Sequence, residues 1–364
     1  MQQAGINRNL GLDMVRSTAI LLVLLSHIVF FHDFPFMPVF GVLGVEIFFV
    51  LSGFLIGRII IQNLVENPTG ATLKNFYIRR WFRTLPLYYL ILVVKSIVTH
   101  TGIPVLNFFF IQNFNEGALN FLPVSWSLSI EEWFYLLFPF ILLIAIKLLQ
   151  GRMQKKTIFF IVAVSFLLAS FLLRTYTVLA YNPTWDLGIR KQIFLRLDTI
   201  MFGVLLAGIK IYYKELYAKF AASKAAAIIS CVGFVAIILY FNLALQAGAS
   251  LDGLILDKIL LFTFLPVTCF FFVAWLETSR AVNTVFAKNR LSVFFVFISA
   301  ISYALYLVHD VVFFYMMEKV PGLRGYALSL GLSVLIAFLL HKFYERPVMN
   351  LRDRIPLRAA KKSV

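Results

Sequence analysis

Ten runs of apolar residues, separated by short polar stretches, set the pattern of this chain. They lie at about 14–32, 39–61, 85–99, 128–147, 157–179, 196–212, 225–246, 255–276, 291–316 and 325–342. Most approach the roughly 20 residues that a helix needs to cross a bilayer. The third is short, and "VLNFFFIQNF" (105–114) reads as an interfacial or re-entrant piece rather than a span. The pattern predicts an all-α polytopic membrane protein of about ten transmembrane helices.

Composition leads to the same place. Of 364 residues, 61% are hydrophobic and 14% charged, with 40 phenylalanines and a mean hydropathy of +0.89. A soluble domain of this length has too little interior to cover so much apolar surface, so lipid must be the solvent. The two cysteines, Cys231 and Cys269, sit inside apolar runs and form neither a disulfide framework nor a metal-ligand spacing. They read as packing residues, and no metal site is expected.

A net charge of +16 would suggest nucleic acid in a soluble protein. Its distribution argues otherwise. With the N-terminus inside, Arg58, Lys74, Arg79, Arg80 and Arg83 fall beside the second–third connection, and Lys147, Arg152, Lys155 and Lys156 around the next cytoplasmic one. In all, 25 of the 33 Lys and Arg residues fall on the cytoplasmic side, which predicts both termini inside by the positive-inside rule. The charge is then topological, and no nucleic-acid partner is expected. Asp13 and Arg16 interrupt the first run and no convincing cleavage site follows, so it reads as a retained helix rather than a signal. The expectation is one transmembrane domain over 1–364, with no appended soluble domain.

Ionisable residues within spans are expensive and usually functional. "LDMVRSTAILLVLLSHIVFF" (12–31) carries Arg16 and His27. Eleven steps of 100° bring them to one helix face, about 16 Å apart along the axis. His27 lies beyond the midpoint of this outward helix, and Glu46 early in the next, inward one. Glu131 and Glu132 in "SWSLSIEEWFYLLFP", Arg196 and Asp198 in "RLDTIMFGVLLAG", and His309 in "ISYALYLVHD" share that outer half. Arg16 and "RRWFR" (79–83) lie at the inner face. The plain alternatives are solvation at an interface for Asp198 and His309, water around Glu132, and arginines snorkelling to lipid phosphate. His32, His100 and His341 fall at ends or in loops and are assigned no role.

These stretches, with "GVEIFFVLSGFLIG", "FYIRRWFRTLPLYY" and "FYERP", resemble in order the motifs of the membrane acyltransferase-3 family. The resemblance implies about ten helices and transfer of an acyl group, often acetyl from acetyl-CoA, to sugar hydroxyls of surface glycans. It makes Arg16 and His27 the essential first-helix pair, places Arg80 and Arg83 in an arginine-rich loop, and marks Glu131. Glu46 stands where an Asp is common, and "EEW" replaces the frequent "EEQ". Many relatives carry an extracytoplasmic hydrolase-like domain after the last helix. None is expected here, nor a relay through one on the same polypeptide.

The mechanism expected has Arg79, Arg80 and Arg83 gripping the phosphates of cytoplasmic acyl-CoA, since a guanidinium pairs bidentately with phosphate. His27 acts as general base on an acceptor hydroxyl, or carries the acyl group itself. Glu46 or Glu131 would hold its tautomer. Ser52 or Trp126 would serve an oxyanion, and Glu132, Arg196, Asp198 and His309 would complete the acceptor side. The partners expected are membrane lipid, acyl-CoA and a glycan or lipid-linked sugar, in a bacterial cytoplasmic membrane, with no oligomeric state read. A transporter or flippase with a His/Glu proton relay is the rival class, though no pair of corresponding broken helices marks repeated halves. A bulkier donor such as succinyl-CoA is a third possibility.

Overall fold

The computed structural model describes residues 8–27, 37–246 and 252–354. Among these every regular element is helical. The last residues of the first apolar run, with His32, lie outside the described residues, as does the basic stretch after 354. Each of the ten runs corresponds to a helix: α1 Leu10–Ser26, α2 Met37–Ile59, α3 Gly70–Thr99, α4 Trp126–Leu149, α5 Lys155–Tyr181, α6 Leu197–Tyr212, α7 Lys224–Gln246, α8 Phe262–Thr278, α9 Leu291–Lys319 and α10 Leu323–Leu340. A short amphipathic helix, α11 Arg346–Asp353, follows.

Eight of the ten are long and apolar enough to cross a bilayer, among the described residues. The other two, α1 and α6, have 17 and 16 residues. The protein is an integral membrane protein of the all-α class.

The third helix corrects the reading of its run. It begins at Gly70, where the Thr69 side chain caps it by accepting from the Thr72 amide at 3.1 Å. Charged residues at 74–83 mask this helix to a hydropathy scan, yet they are good helix formers. "RRWFR" is therefore helical, and a helix fixes the spacing of its arginines as a loop would not. The 105–114 stretch is two short helical turns, Val105–Phe108 and Gln112–Phe114, and not a span.

Burial sets the layers. About 72% of the apolar window in α2 is buried, against 22% in α7, so α2 is central and α7 faces outwards. The α2 helix packs on α1 and, most extensively, on α6. Glycine permits that closeness: a Cβ on Gly53 would fall 2.0 Å from the Ile200 carbonyl oxygen, and one on Gly203 2.0 Å from that of Val50. Small residues at helix crossings let backbones approach where lipid supplies no hydrophobic drive.

Two buried ion pairs tie this core to its neighbours. Arg196, just before α6, pairs with Glu46 of α2. Arg174 of α5 pairs with Asp198 of α6 at 2.6 Å and donates to the Leu195 carbonyl at 2.8 Å. In an apolar interior such charges persist only when they are paired and hydrogen-bonded.

Candidate active site

Two cavities lie along the Arg16–His27 helix, one toward each end. The larger, about 550 Å³, is lined by six arginines: Arg16, Arg58, Arg79, Arg80, Arg83 and Arg352. Glu131 is the one carboxylate in its wall. Arg79, Arg80 and Arg83 are neighbours on one face of α3 by helical spacing. Arg80 donates to Glu131 Oε2 at 3.1 Å, and its guanidinium carbon lies 3.9 Å from the centre of the Tyr135 ring. Glu131 is fully engaged, accepting from Ser52 Oγ at 2.8 Å and from the Tyr135 hydroxyl at 2.9 Å. At the mouth Arg79, 56% exposed, lies 3.8 Å from Asp353 of α11. Arg352 also pairs with Asp353, at 2.9 Å, which leaves Arg16, Arg58 and Arg83 with no carboxylate in ion-pair distance among the described residues, an excess of positive charge that suits a polyanion.

The smaller cavity, about 250 Å³, holds His27 with Ser26, Trp126, Arg190, Lys191 and Asp310 among its walls. His27 Nδ1 lies 2.9 Å from the Val23 carbonyl oxygen, one helical turn back. A carbonyl can only accept, so this contact calls for the proton on Nδ1, where the Ser26 hydroxyl also lies 3.2 Å away, and in the neutral ring Nε2 is then the acceptor. His309, fully buried in α9, repeats the arrangement, its Nδ1 3.1 Å from the Leu305 carbonyl. Its Nε2 is buried without a hydrogen-bond partner among the described residues.

Val45 and Tyr306 belong to the walls of both cavities. The Tyr306 hydroxyl donates to the Val124 carbonyl at 2.9 Å and lies 2.7 Å from the Ser127 hydroxyl. Val45 and Tyr306 thus mark the partition where the arginine cavity and the histidine cavity adjoin.

Several expected partnerships are replaced by others. Glu131 contacts Arg80 and not His27, because its three hydrogen bonds hold it in the larger cavity. Glu46 is taken up by Arg196. The Val23 carbonyl does for the His27 tautomer what a carboxylate was expected to do. Ser52 gives its proton to Glu131, so in this arrangement it is no oxyanion donor. Asp198 belongs to the Arg174 network, and Arg196 and Asp198 line neither cavity. Glu132 is buried beside Glu131 and likewise lines neither.

Other site residues were missed. Arg190 and Lys191 lie in no motif, whereas Tyr306 and Asp310 fall inside "ISYALYLVHD", where only His309 drew attention. Arg58 and Arg352 were counted only as topological charge, and Arg174 not singled out at all. Among the described residues no three His, Cys, Asp or Glu side chains gather as a metal site.

Residues 9–342 match the family model described as an acyltransferase domain. A protein of Staphylococcus aureus (strain COL) named "Putative O-acetyltransferase" is 28% identical over 93% of this chain and 56% of its own length. The peptidoglycan O-acetyltransferase of Listeria monocytogenes is 33% identical over 38% of this chain and 24% of its own. A Bacillus subtilis protein named "Putative peptidoglycan O-acetyltransferase" is 30% identical over 39% of this chain and 25% of its own. The chain spans little more than half the length of the Staphylococcus aureus relative. No solved structure matches.

Proposed function

The chain belongs to the family described by the acyltransferase-domain model, and from that premise we propose that it is an O-acetyltransferase moving acetyl from cytoplasmic acetyl-CoA to a glycan hydroxyl across the membrane. The observation that carries this reading is the meeting of an arginine-lined cavity and a histidine cavity at one partition, Val45 and Tyr306.

A coenzyme A thioester has a polyphosphorylated head and a long neutral arm ending in the reactive carbonyl. The head fits six guanidinium groups, which pair with phosphate in a planar fork. The arm reaches past Val45 and Tyr306 toward His27. Arg16 lies at the near end of that path and His27 about 16 Å further along the same helix. The excess of Lys and Arg on one side supports a cytoplasmic mouth for the arginine cavity.

In the smaller cavity His27 Nε2 accepts the proton of the acceptor hydroxyl as its oxygen attacks the thioester carbon. Collapse of the tetrahedral intermediate breaks the C–S bond. The thiolate leaves with the proton from the imidazolium, so the products are the acetyl ester and coenzyme A. Val23, by fixing the proton on Nδ1, keeps Nε2 available as base. Glu131 acts on the donor, by aiming Arg80.

Purified protein in vesicles, given labelled acetyl-CoA and a glycan acceptor, tests the reading. Coenzyme A and ester should appear in equal amounts, and neither with His27→Ala. Ester formation that persists without His27 would overturn the proposed base.

A further inference from the structure

The cations of the smaller cavity have no part in that chemistry. Arg190 and Lys191 line it with His27. Both reach the same carboxylate, Asp186, at 2.6 Å each. Asp186 is 43% exposed while its partners are 15% and 17% exposed, so the cations are the more buried members of the group. Burial raises the Asp186 carboxyl, but the attraction of Arg190 and Lys191 outweighs it and holds the group below its usual range. The other charged group in the wall, Asp310, is matched by Lys95 at 3.0 Å. Taken with their ion-pair partners, these side chains leave one uncompensated positive charge beside His27.

The cations are also fixed in place. The Arg190 guanidinium lies 4.7 Å from the centre of the Trp126 ring and 5.7 Å from that of Trp185. The Asn113 side chain donates to the Lys191 carbonyl at 2.5 Å and to the Trp126 carbonyl at 3.0 Å, tying the 190–191 backbone to the start of α4. A preorganised cation pair sharing one carboxylate has capacity for a second anion, and a guanidinium beside an ammonium suits an oxyanion.

We propose that the acceptor of this protein carries an anionic group, a carboxylate or phosphate, held by Arg190 and Lys191 while its hydroxyl lies at His27. This rests on reading the His27 cavity as the acceptor site. A neutral sugar of the same size would bind there without that ionic contact.

The test compares methyl glucoside, methyl glucuronide and methyl glucoside 6-phosphate, by equilibrium binding to the purified full chain and by acetyl transfer from acetyl-CoA. Either anionic sugar should bind about tenfold more tightly than the neutral one, the worth of one charge-assisted hydrogen bond. High salt should shrink that preference. The preference is a ratio within one protein, so loss of folded material in a variant cancels. Lys191→Glu should abolish it, and Arg190→Lys should leave most of it. Equal binding of all three sugars, or a preference untouched by Lys191→Glu, would overturn the inference. Lys191-dependent binding of the anionic sugars without transfer to any would uphold it while sinking the acetyltransferase reading.

Discussion

The imidazole of His309 meets that of His27 edge to face, ring centroids 4.9 Å apart and planes at 90°. Each ring donates from Nδ1 to its own helix, His27 to Val23 and His309 to Leu305, so each keeps its Nε2 lone pair. His309 thus forms part of the surroundings of the proposed base, His27.

His27→Ala should abolish transfer, a loss of at least 10²-fold for a positioned base, with expression and membrane insertion near normal. His27→Gln should be as inactive, because an amide cannot take the proton. His309→Phe keeps an aromatic edge against His27 and removes the second imidazole. It should lower kcat while leaving the KM for acetyl-CoA unchanged. An unaltered kcat in His309→Phe would reduce His309 to packing.

Arg80 and Arg83 should act on the donor. Lysine keeps the charge but loses the fork, so Arg80→Lys and Arg83→Lys should raise the KM for acetyl-CoA several-fold with a smaller change in kcat. Glu131→Gln keeps a partner for Ser52 and Tyr135 but not the carboxylate that aims Arg80. It should therefore resemble Arg80→Lys, and steady-state kinetics of the three variants decides this. A Glu131→Gln defect confined to kcat would instead return Glu131 to the chemical step.

The partition gives a separate test. Val45→Trp should fill the gap beside Tyr306 and stop the acyl arm, while leaving the arginine cavity open. Coenzyme A should then bind within about threefold of wild type, since no phosphate contact is lost, and transfer should fall to background. Full activity in Val45→Trp would place the path elsewhere.

These predictions rest unevenly on the sequence. The Arg16–His27 relation was legible because helical phase puts both on one face, and α1 runs unbroken from Arg16 to Ser26 with His27 as its C-cap. The partition was not. Tyr306 is one of 15 tyrosines and carries no charge to mark it, and its role depends on α9 lying against α1 and near the start of α4. Arg174 shows the complementary failure. A charge count assigns an arginine to a side of the membrane, whereas burial depends on which helix face meets Asp198. The expectation that Glu46 or Glu131 holds the His27 tautomer meets the same difficulty: depth was readable, but not that Arg196 and Arg80 are the neighbours of these carboxylates.

The buried pairs should matter for folding. Arg174→Ala leaves Asp198 buried beside no cation, and removing one partner of such a pair costs about 3–5 kcal/mol. The detergent-solubilised variant should melt several degrees lower. Replacing both by apolar residues of similar volume, Arg174→Met with Asp198→Leu, should recover most of the loss. If the double variant is stable but inactive, the pair has a role beyond structure.

Sidedness can fail independently of the chemistry. The charge asymmetry expects the arginine cavity to open to the cytoplasm and Arg190 and Lys191 to lie toward the outside. Gly151, with open space where a Cβ would stand, and the exposed Thr184 are suited to single cysteines on opposite sides. Cys231 and Cys269 are replaced first, so that no label arises from the spans. With an impermeant thiol reagent added to intact cells, Thr184→Cys should react at once, and Gly151→Cys only after the membrane is opened. The opposite pattern would invert the molecule, turning the six arginines away from the cytoplasmic pool of acetyl-CoA. An arginine cavity facing outwards would then need an extracytoplasmic polyanion as its ligand, and the proposed donor would fall with the topology.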